Sequence, residues 1–240
     1  LLIDHAWGWE PCTVDYIKQY KPESNSLGSG QVLHEPYTYD KARIIVMEMA
    51  DELSMSLVRK GLATDRIELY IGFDRESLIE DHGIYKYRDG KIYKGKVTED
   101  PYGRIHPKHA NGNFKLDFPT SSTRLIIEAA VSIFEQKVDK GLLVRRVGVS
   151  AMSVIPEKEA EKIRSQRQNS YVQMDLFTDY DALEAERQSQ EEQLNRERRL
   201  QEAMLTIKDK FAKNAVLTGL NYQEGARGRE RNNEVGGHKA

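Results

Sequence analysis

Apolar residues in this chain recur with two periods, and the alternation between them lays out strands and helices from about Ser24 to Pro156. The stretch GQVLHE, residues 30–35, reads as a strand. In the following YTYDKARIIVMEMADELSMSLVRKG, Ala42, Ile45, Met49, Leu53 and Leu57 fall three or four apart, the spacing that gathers side chains on one helix face, and Gly61 supplies the stop. DRIELYIGFD then places Ile67, Leu69, Ile71 and Phe73 at every second position, as a half-buried strand requires. GNFKLDFP does the same with Phe114, Leu116 and Phe118, and these two strands are expected to pair antiparallel. SSTRLIIEAAVSIFEQKVDKG predicts a second helix with a serine cap and a terminal Gly141. Its inner face is Leu125 or Ile126, Ala129, Ala130, Ile133, Phe134 and Val138. LLVRRVGVSAMSVIP predicts a last strand, ended by Pro156. The order is β-α-β-β-α-β, an α+β fold with two helices on one face of a four-stranded sheet.

Such a sheet keeps one face bare, and a bare sheet face is where a module of this shape does its work. Arg145 and Arg146 are neighbours in the last strand and so point to opposite faces, which exposes at least one of them. Ordinary solvation and phosphate binding both account for such a pair. Between the two middle strands lies GIYKYRDGKIYKGK, whose Lys86, Arg88, Lys91, Lys94 and Lys96 read as an exposed basic hairpin.

The pattern is different on either side of this block. Residues 1–23 carry Trp7, Trp9 and Tyr16 around a short helical stretch, too little to fold alone. Residues 157–179 are expected to form a flexible linker, yet within it YVQMDLFTD sets Met174, Leu176 and Phe177 among polar and charged neighbours. Apolar residues with no core to enter wait for a partner. A long charged helix is expected from about Tyr180 to Ala215. Leu200, Met204, Ile207 and Phe211 make a narrow stripe in its second half. The end of the chain, with Arg227, Arg229, Arg231 and Lys239 among glycines, has the composition of a disordered tail.

Composition narrows the classes. Of 240 residues 39% are hydrophobic and 31% charged, so a folded core coexists with solvated segments. A net charge of -2 leaves the distribution of charge to decide what the surface binds. Cys12 is the only cysteine, which excludes a disulfide framework and a thiolate zinc cluster and points to a reducing, cytoplasmic setting. No apolar run approaches the roughly 18 residues of a membrane span. The opening LLIDHAWGWEPC begins without Met, and the chain is expected to be the C-terminal part of something longer.

Three segments taken together, SNSLGSGQVLHEPY, KLDFPTSST and LLVRRVGVS, resemble the little-finger domain of Y-family translesion DNA polymerases of the UmuC/DinB-like type. The likeness is to the bacterial branch that includes error-prone repair polymerases of Gram-positive bacteria. LLIDHAWGWEPCTVDYIKQYKP resembles the end of that family's thumb, and ERNNEVGGHKA the ending of the branch. The resemblance implies sequence-independent binding of primer-template DNA through its backbone, in damaged-DNA repair and the SOS response. The matching positions are Ser26, Gly28 and Gln31 at the first strand, Thr120, Ser121 and Ser122 before the second helix, and Arg145 and Arg146 in the last strand. The serine cluster reads equally well as a plain helix cap. Asn25 stands where many members carry a basic residue.

The family's palm, which holds two Mg²⁺ ions on carboxylates, would lie before Leu1. Asp74, Asp81, Glu99, Asp100 and Asp117 are scattered acids that form no metal pair, so no catalytic residue and no cofactor is assigned to this chain. Gln173, Met174, Asp175, Leu176 and Phe177 match the short motif by which bacterial polymerases dock on the sliding clamp. In it a glutamine amide enters a small pocket, and Leu and Phe fill an apolar cleft. The expected function is DNA binding and clamp docking within a translesion polymerase. The alternative is a free-standing, non-catalytic regulator from a truncated or split gene.

Overall fold

The computed structural model describes residues 3, 6–9, 12–20, 25–168, 180–235 and 238–239. The clamp-motif residues 173–177 lie outside them. Near the N-terminus a short helix, α1 (Val14–Gln19), is capped by Thr13 and buries nothing. Among the described residues no helix is long and apolar enough to cross a membrane.

The domain proper begins with β1 (Leu27–Tyr37), followed by α2 (Tyr39–Lys60) and β2 (Leu62–Phe73). Gly61 ends α2 in a left-handed conformation with φ 63°, its amide donating to Leu57 and Val58. Between β2 and its partner lies an excursion built from a 3₁₀ turn and two hairpins. These are β3 (Leu78–Asp81) with β4 (Ile84–Tyr87), and β5 (Val97–Glu99) with β6 (Ile105–Pro107). Leu78, Tyr87 and Tyr93 pack against the main core and anchor the excursion. Burial and the Tyr87 hydroxyl's bond to Asp139 push that phenol up to about 12.

The chain returns through β7 (Ala110–Thr120), α3 (Thr123–Lys137) and β8 (Val144–Met152). Ser122 caps α3 by accepting from the Leu125 amide at 3.3 Å, as its hydroxyl predicts. The helix stops at Lys137, short of the expected Gly141, because Val138 turns into the core and Asp139 folds the following residues by accepting from the Gly141 amide. Gly141 serves packing instead, since a Cβ there would lie 2.8 Å from the Tyr87 ring.

The four main strands lie in the order β1-β8-β2-β7, every neighbouring pair antiparallel, and α2 and α3 cover one face. The expected order recurs in the four main strands and the two covering helices, but the count differs from the four-stranded sheet expected: a short fifth strand pairs with β2, and the excursion adds two separate two-stranded sheets. Ile67, Leu69 and Ile71 of β2 meet Val147, Val149 and Ala151 of β8 on the covered face, with Ile45, Met49, Leu57, Ile126 and Phe134 above them, all essentially inaccessible. Each fully buried aliphatic chain contributes roughly 1.5–3 kcal/mol. Of the predicted β7 face, Leu116 enters the core while Phe114 stays partly exposed at the sheet edge.

Beyond β8, a short β9 (Ile155–Pro156) pairs with the start of β2. The helix α4 (Glu157–Gln168) then occupies the first part of the segment expected as flexible linker, and Ala160 is buried under it. The helix α5 (Tyr180–Phe211) appears where expected, but it docks through a polar residue. Gln201, only 4% exposed, donates to Ser54 Oγ, the Ser121 carbonyl and Thr123 Oγ1, each at 2.9 Å. The stripe points outward, with Leu200 60% and Phe211 64% exposed.

The last described segment, expected to be a disordered tail, folds back onto α2. Glu48, 5% exposed, accepts from Asn221 Nδ2 at 2.6 Å, from the Arg227 amide at 2.7 Å and from the Gly228 amide at 3.0 Å, capping the short α6 (Gly228–Arg231). A Cβ on Gly228 would sit 2.8 Å from Glu48 Oε1, so only glycine permits this approach. Arg231 pairs with Glu52 and donates to Gln31 Oε1 at 2.8 Å, and burial lowers its pKa from the usual guanidinium value.

Replacing Glu48 with Ala removes the one carboxylate that gathers these donors. The expected loss is about 2–3 kcal/mol, read by urea denaturation, together with faster tryptic cleavage at Arg227, Arg229 and Arg231. Unchanged cleavage there would show that the segment is held by something else.

Candidate nucleic-acid interface

The face of the sheet opposite α2 and α3 is uncovered, and strand registers fix what stands on it. Residues paired across strands share a face, and alternate positions belong to the same face. One row runs Met152, Arg66, Lys115; the next runs Gly28, Ser150, Glu68, Asn113; a third runs Gly30, Gly148, Tyr70, Asn111; and a fourth runs Val32, Arg146, Gly72. Arg66, Lys115 and Arg146 are solvent-exposed, as is Glu68. These rows thus offer three cations against one carboxylate, with two hydroxyls, two carboxamides and small residues between them. Groups of this kind hold phosphodiester oxygens without reading bases.

The sequence-predicted residues distribute unevenly around this face. Gly28 stands on it, and the exposed Ser26 just precedes β1 in the same alternation. Gly28 has an internal reason to be glycine, since a Cβ would meet Ser150 Oγ at 2.3 Å. Gln31 has the opposite parity, and its amide is turned toward Arg231 of the C-terminal segment. Arg146 projects from the open face.

Arg145 is the extra residue of a β-bulge, because β8 pairs through Arg146 with Gly72 and then through Val144 with Phe73. Its guanidinium donates to the His34 carbonyl at 3.0 Å and lies 3.7 Å from Asp74, which ties it to the end of the sheet.

Thr120, Ser121 and Ser122 are buried at the start of α3, under the C-terminal helix. Ser122 Oγ donates to Glu197 at 2.6 Å, and the other carboxylate oxygen of Glu197 accepts from the Arg124 amide at 2.9 Å. Arg198 donates to Ser121 Oγ at 3.0 Å, and Thr120 Oγ1 accepts from the Ser122 amide. The anion-binding chemistry expected at this helix start is present. Its occupant is a carboxylate of the same chain.

The basic hairpin is partly neutralised by its own carboxylates: Lys86 lies 2.5 Å from Asp81 and Lys91 2.8 Å from Asp89. Of the acids singled out in the sequence, Asp74, Asp81 and Asp100 are engaged within the chain. Asp74 caps the 3₁₀ turn. Asp100 is held below the usual carboxylate range, chiefly by the Arg104 backbone amide. Among the described residues no three of His, Cys, Asp and Glu converge as a cation site.

Sequence reasoning missed Arg66, Tyr70, Lys115 and Ser150. The signal was available, since Arg66 and Tyr70 flank the inward Ile67, Leu69 and Ile71 of β2, Lys115 adjoins the buried Leu116 of β7, and Ser150 lies between the buried Val149 and Ala151 of β8.

The chain is similar to several solved structures. A complex of the beta-clamp processivity factor and the little finger domain of PolIV matches 64% of this chain and 100% of that one at 14% identity and a TM-score of 0.34. A Y-family DNA polymerase chimera of Dbh and Dpo4 matches 65% of this chain and 34% of that one, at 14% identity and a TM-score of 0.32. An insertion ternary complex of Dbh DNA polymerase matches 59% and 33%, at 14% identity and a TM-score of 0.31. The chain thus spans about a third of the length of these two polymerase chains. No curated protein matches it. The model of the impB/mucB/samB family C-terminal domain matches residues 24–167, more than half of the sequence, and the chain belongs to that family.

Proposed function

We propose that this chain is the DNA-binding and clamp-docking C-terminal part of a translesion polymerase of the UmuC/DinB-like branch, working in the cytoplasm on primer-template DNA. The observation that carries the reading is the uncovered sheet face bearing Arg66, Lys115 and Arg146 around hydroxyl, amide and glycine positions. A rigid sheet that meets only phosphates lets damaged and undamaged bases pass alike. Ser26 and Gly28 extend the track along β1, and Arg145 borders it at the sheet end. The polar atoms of Ser121 and Ser122 serve α5 while that helix is docked. Nucleotide transfer belongs, in this reading, to a palm domain carrying its own Mg²⁺.

Clamp docking rests on the sequence motif Gln173, Met174, Asp175, Leu176, Phe177, which falls between α4 and α5. In this reading the apolar side chains of the motif are taken up by the clamp's own cleft, where a thioether at Met174 suits irregular apolar space.

The first test is the salt dependence of affinity for primer-template DNA, measured by fluorescence anisotropy. Each cation that meets a phosphate contributes about 0.9 to the slope of log affinity against log salt. Replacing Arg66, Lys115 and Arg146 together by Ala is expected to flatten that slope by about 2–3, and an unchanged slope would remove the open face from the DNA path. The second test is capture by a bacterial sliding clamp. Leu176→Ala with Phe177→Ala is expected to abolish capture and leave DNA affinity unaltered, whereas capture that survives both changes would place docking elsewhere.

A further inference from the structure

The open face contains one feature that phosphate binding leaves unused. Tyr70, 40% exposed, stands in its middle on the central strand β2. Its ring lies against His109, with centroids 5.1 Å apart and planes tilted by 33°. His109 leads directly into β7, so it supports the phenol ring from the β7 side. On the other side of Tyr70 lie β8 and then β1, where the same row carries Gly148 and Gly30. Two strands without side chains leave an opening roughly 10 Å across, at ~4.8 Å per strand, beside an aromatic face.

Nothing inside the domain requires glycine at these two positions. A Cβ on Gly30 would meet the Val147 carbonyl oxygen at 3.7 Å, and one on Gly148 would meet Tyr70 Cβ at 3.6 Å and the Ser29 carbonyl oxygen at 3.8 Å, ordinary contacts in each case. Neither residue has a positive φ. Glycine within a strand weakens it, so an opening with no internal cause is one that something outside can enter. The exposed Arg146 follows Gly148 by one alternation on the same face, toward Val32, and Ser150 borders the opening on the other side.

A duplex presents phosphates and hides the faces of its bases. A phenol ring beside a bare strip of backbone gives a phosphate little, but it fits the face of an unpaired base, and aromatic residues on the middle of a four-stranded sheet are a recurrent way of stacking single-stranded nucleic acid. Resting on the DNA-binding reading above, we propose that Tyr70, supported by His109, is a stacking platform for one unpaired nucleobase, which enters over Gly30 and Gly148 while Arg146 takes the adjoining phosphate. The domain then favours DNA with a single-stranded overhang over blunt duplex.

The test uses the full chain with two labelled DNAs of equal duplex length, one blunt and one carrying a single-stranded overhang with 2-aminopurine. Tyr70→Ala is expected to weaken overhang binding by about tenfold, the order of one base stacked on one aromatic ring, and to abolish 2-aminopurine quenching, with blunt-duplex affinity unchanged. Tyr70→Phe keeps the ring and is expected to retain both signals. Gly148→Leu fills the opening and is expected to reproduce the loss. Thermal denaturation of each variant checks folding, which an exposed side chain leaves intact. The platform is overturned if Tyr70→Ala leaves overhang binding unchanged or weakens both DNAs alike, while the Arg66, Lys115 and Arg146 variant still flattens the salt slope. If the wild-type chain binds neither DNA, the DNA-binding reading itself fails and the platform with it.

Discussion

The pairing of β8 with β2 is the contact on which the molecule depends. Seven residues on each strand pair in continuous register from Arg66 with Met152 to Gly72 with Arg146. This register sends Ile67, Leu69, Ile71, Val147, Val149 and Ala151 to one side. By the two-residue period of a strand, it must send Arg66, Glu68, Tyr70, Arg146, Gly148 and Ser150 to the other. The core and the candidate interface are two halves of one constraint. A slip of one residue would bury Arg146 and expose Val147, and the hydrophobic cost forbids it. The bulge at Arg145 comes after this continuous run, where the ladder ends and the excursion begins, so it redirects one arginine without disturbing the face.

Attachment of the C-terminal segment follows another logic. Its two anchors are a glutamine and a glutamate, Gln201 on the Ser54, Ser121 and Thr123 cluster and Glu48 on the Asn221, Arg227 and Gly228 donors. Buried polar groups make a directional fit, since each is costly without its partners and contributes only modestly with them. The result specifies where α5 and α6 sit without adding to the apolar core, and it leaves Leu200, Ile207 and Phe211 facing solvent.

The difference between these two kinds of contact explains what the sequence made legible. The β-α-β-β-α-β block is written in periodicity, and its helix faces, its Ser122 cap and its Gly61 stop can be read directly. The tail was opaque because its docking depends on single polar residues: Glu48 lies within an apolar helix face and Gln201 between Leu200 and Met204, and neither has a pattern. Gln31, Ser121 and Ser122 illustrate the same limit. Their chemistry suits phosphate, but the C-terminal segment that engages them lies between 75 and 200 residues along the chain, a distance no local reading spans. Arg66, Lys115 and Tyr70 were legible in principle, because once Ile67 or Leu116 is assigned inward its neighbours must face out.

The placement of the two anchors has a consequence for how the proposed activities combine. Glu48 and Ser54 lie on α2, on the covered side of the sheet, so the C-terminal elements occupy that side and leave the rows through Arg66 and Arg146 open. A ligand on the open face therefore does not compete with the docked C-terminal elements for the same surface. Two modest affinities on one chain act together only when geometry allows simultaneous engagement, and the second then benefits from a high effective concentration. A backbone-reading face needs that help, because contacts made to phosphates alone weaken steeply as salt rises. In the proposed reading, the sheet's separation of the docked C-terminal elements from its open face is the feature that leaves that face free for a sequence-blind grip on DNA.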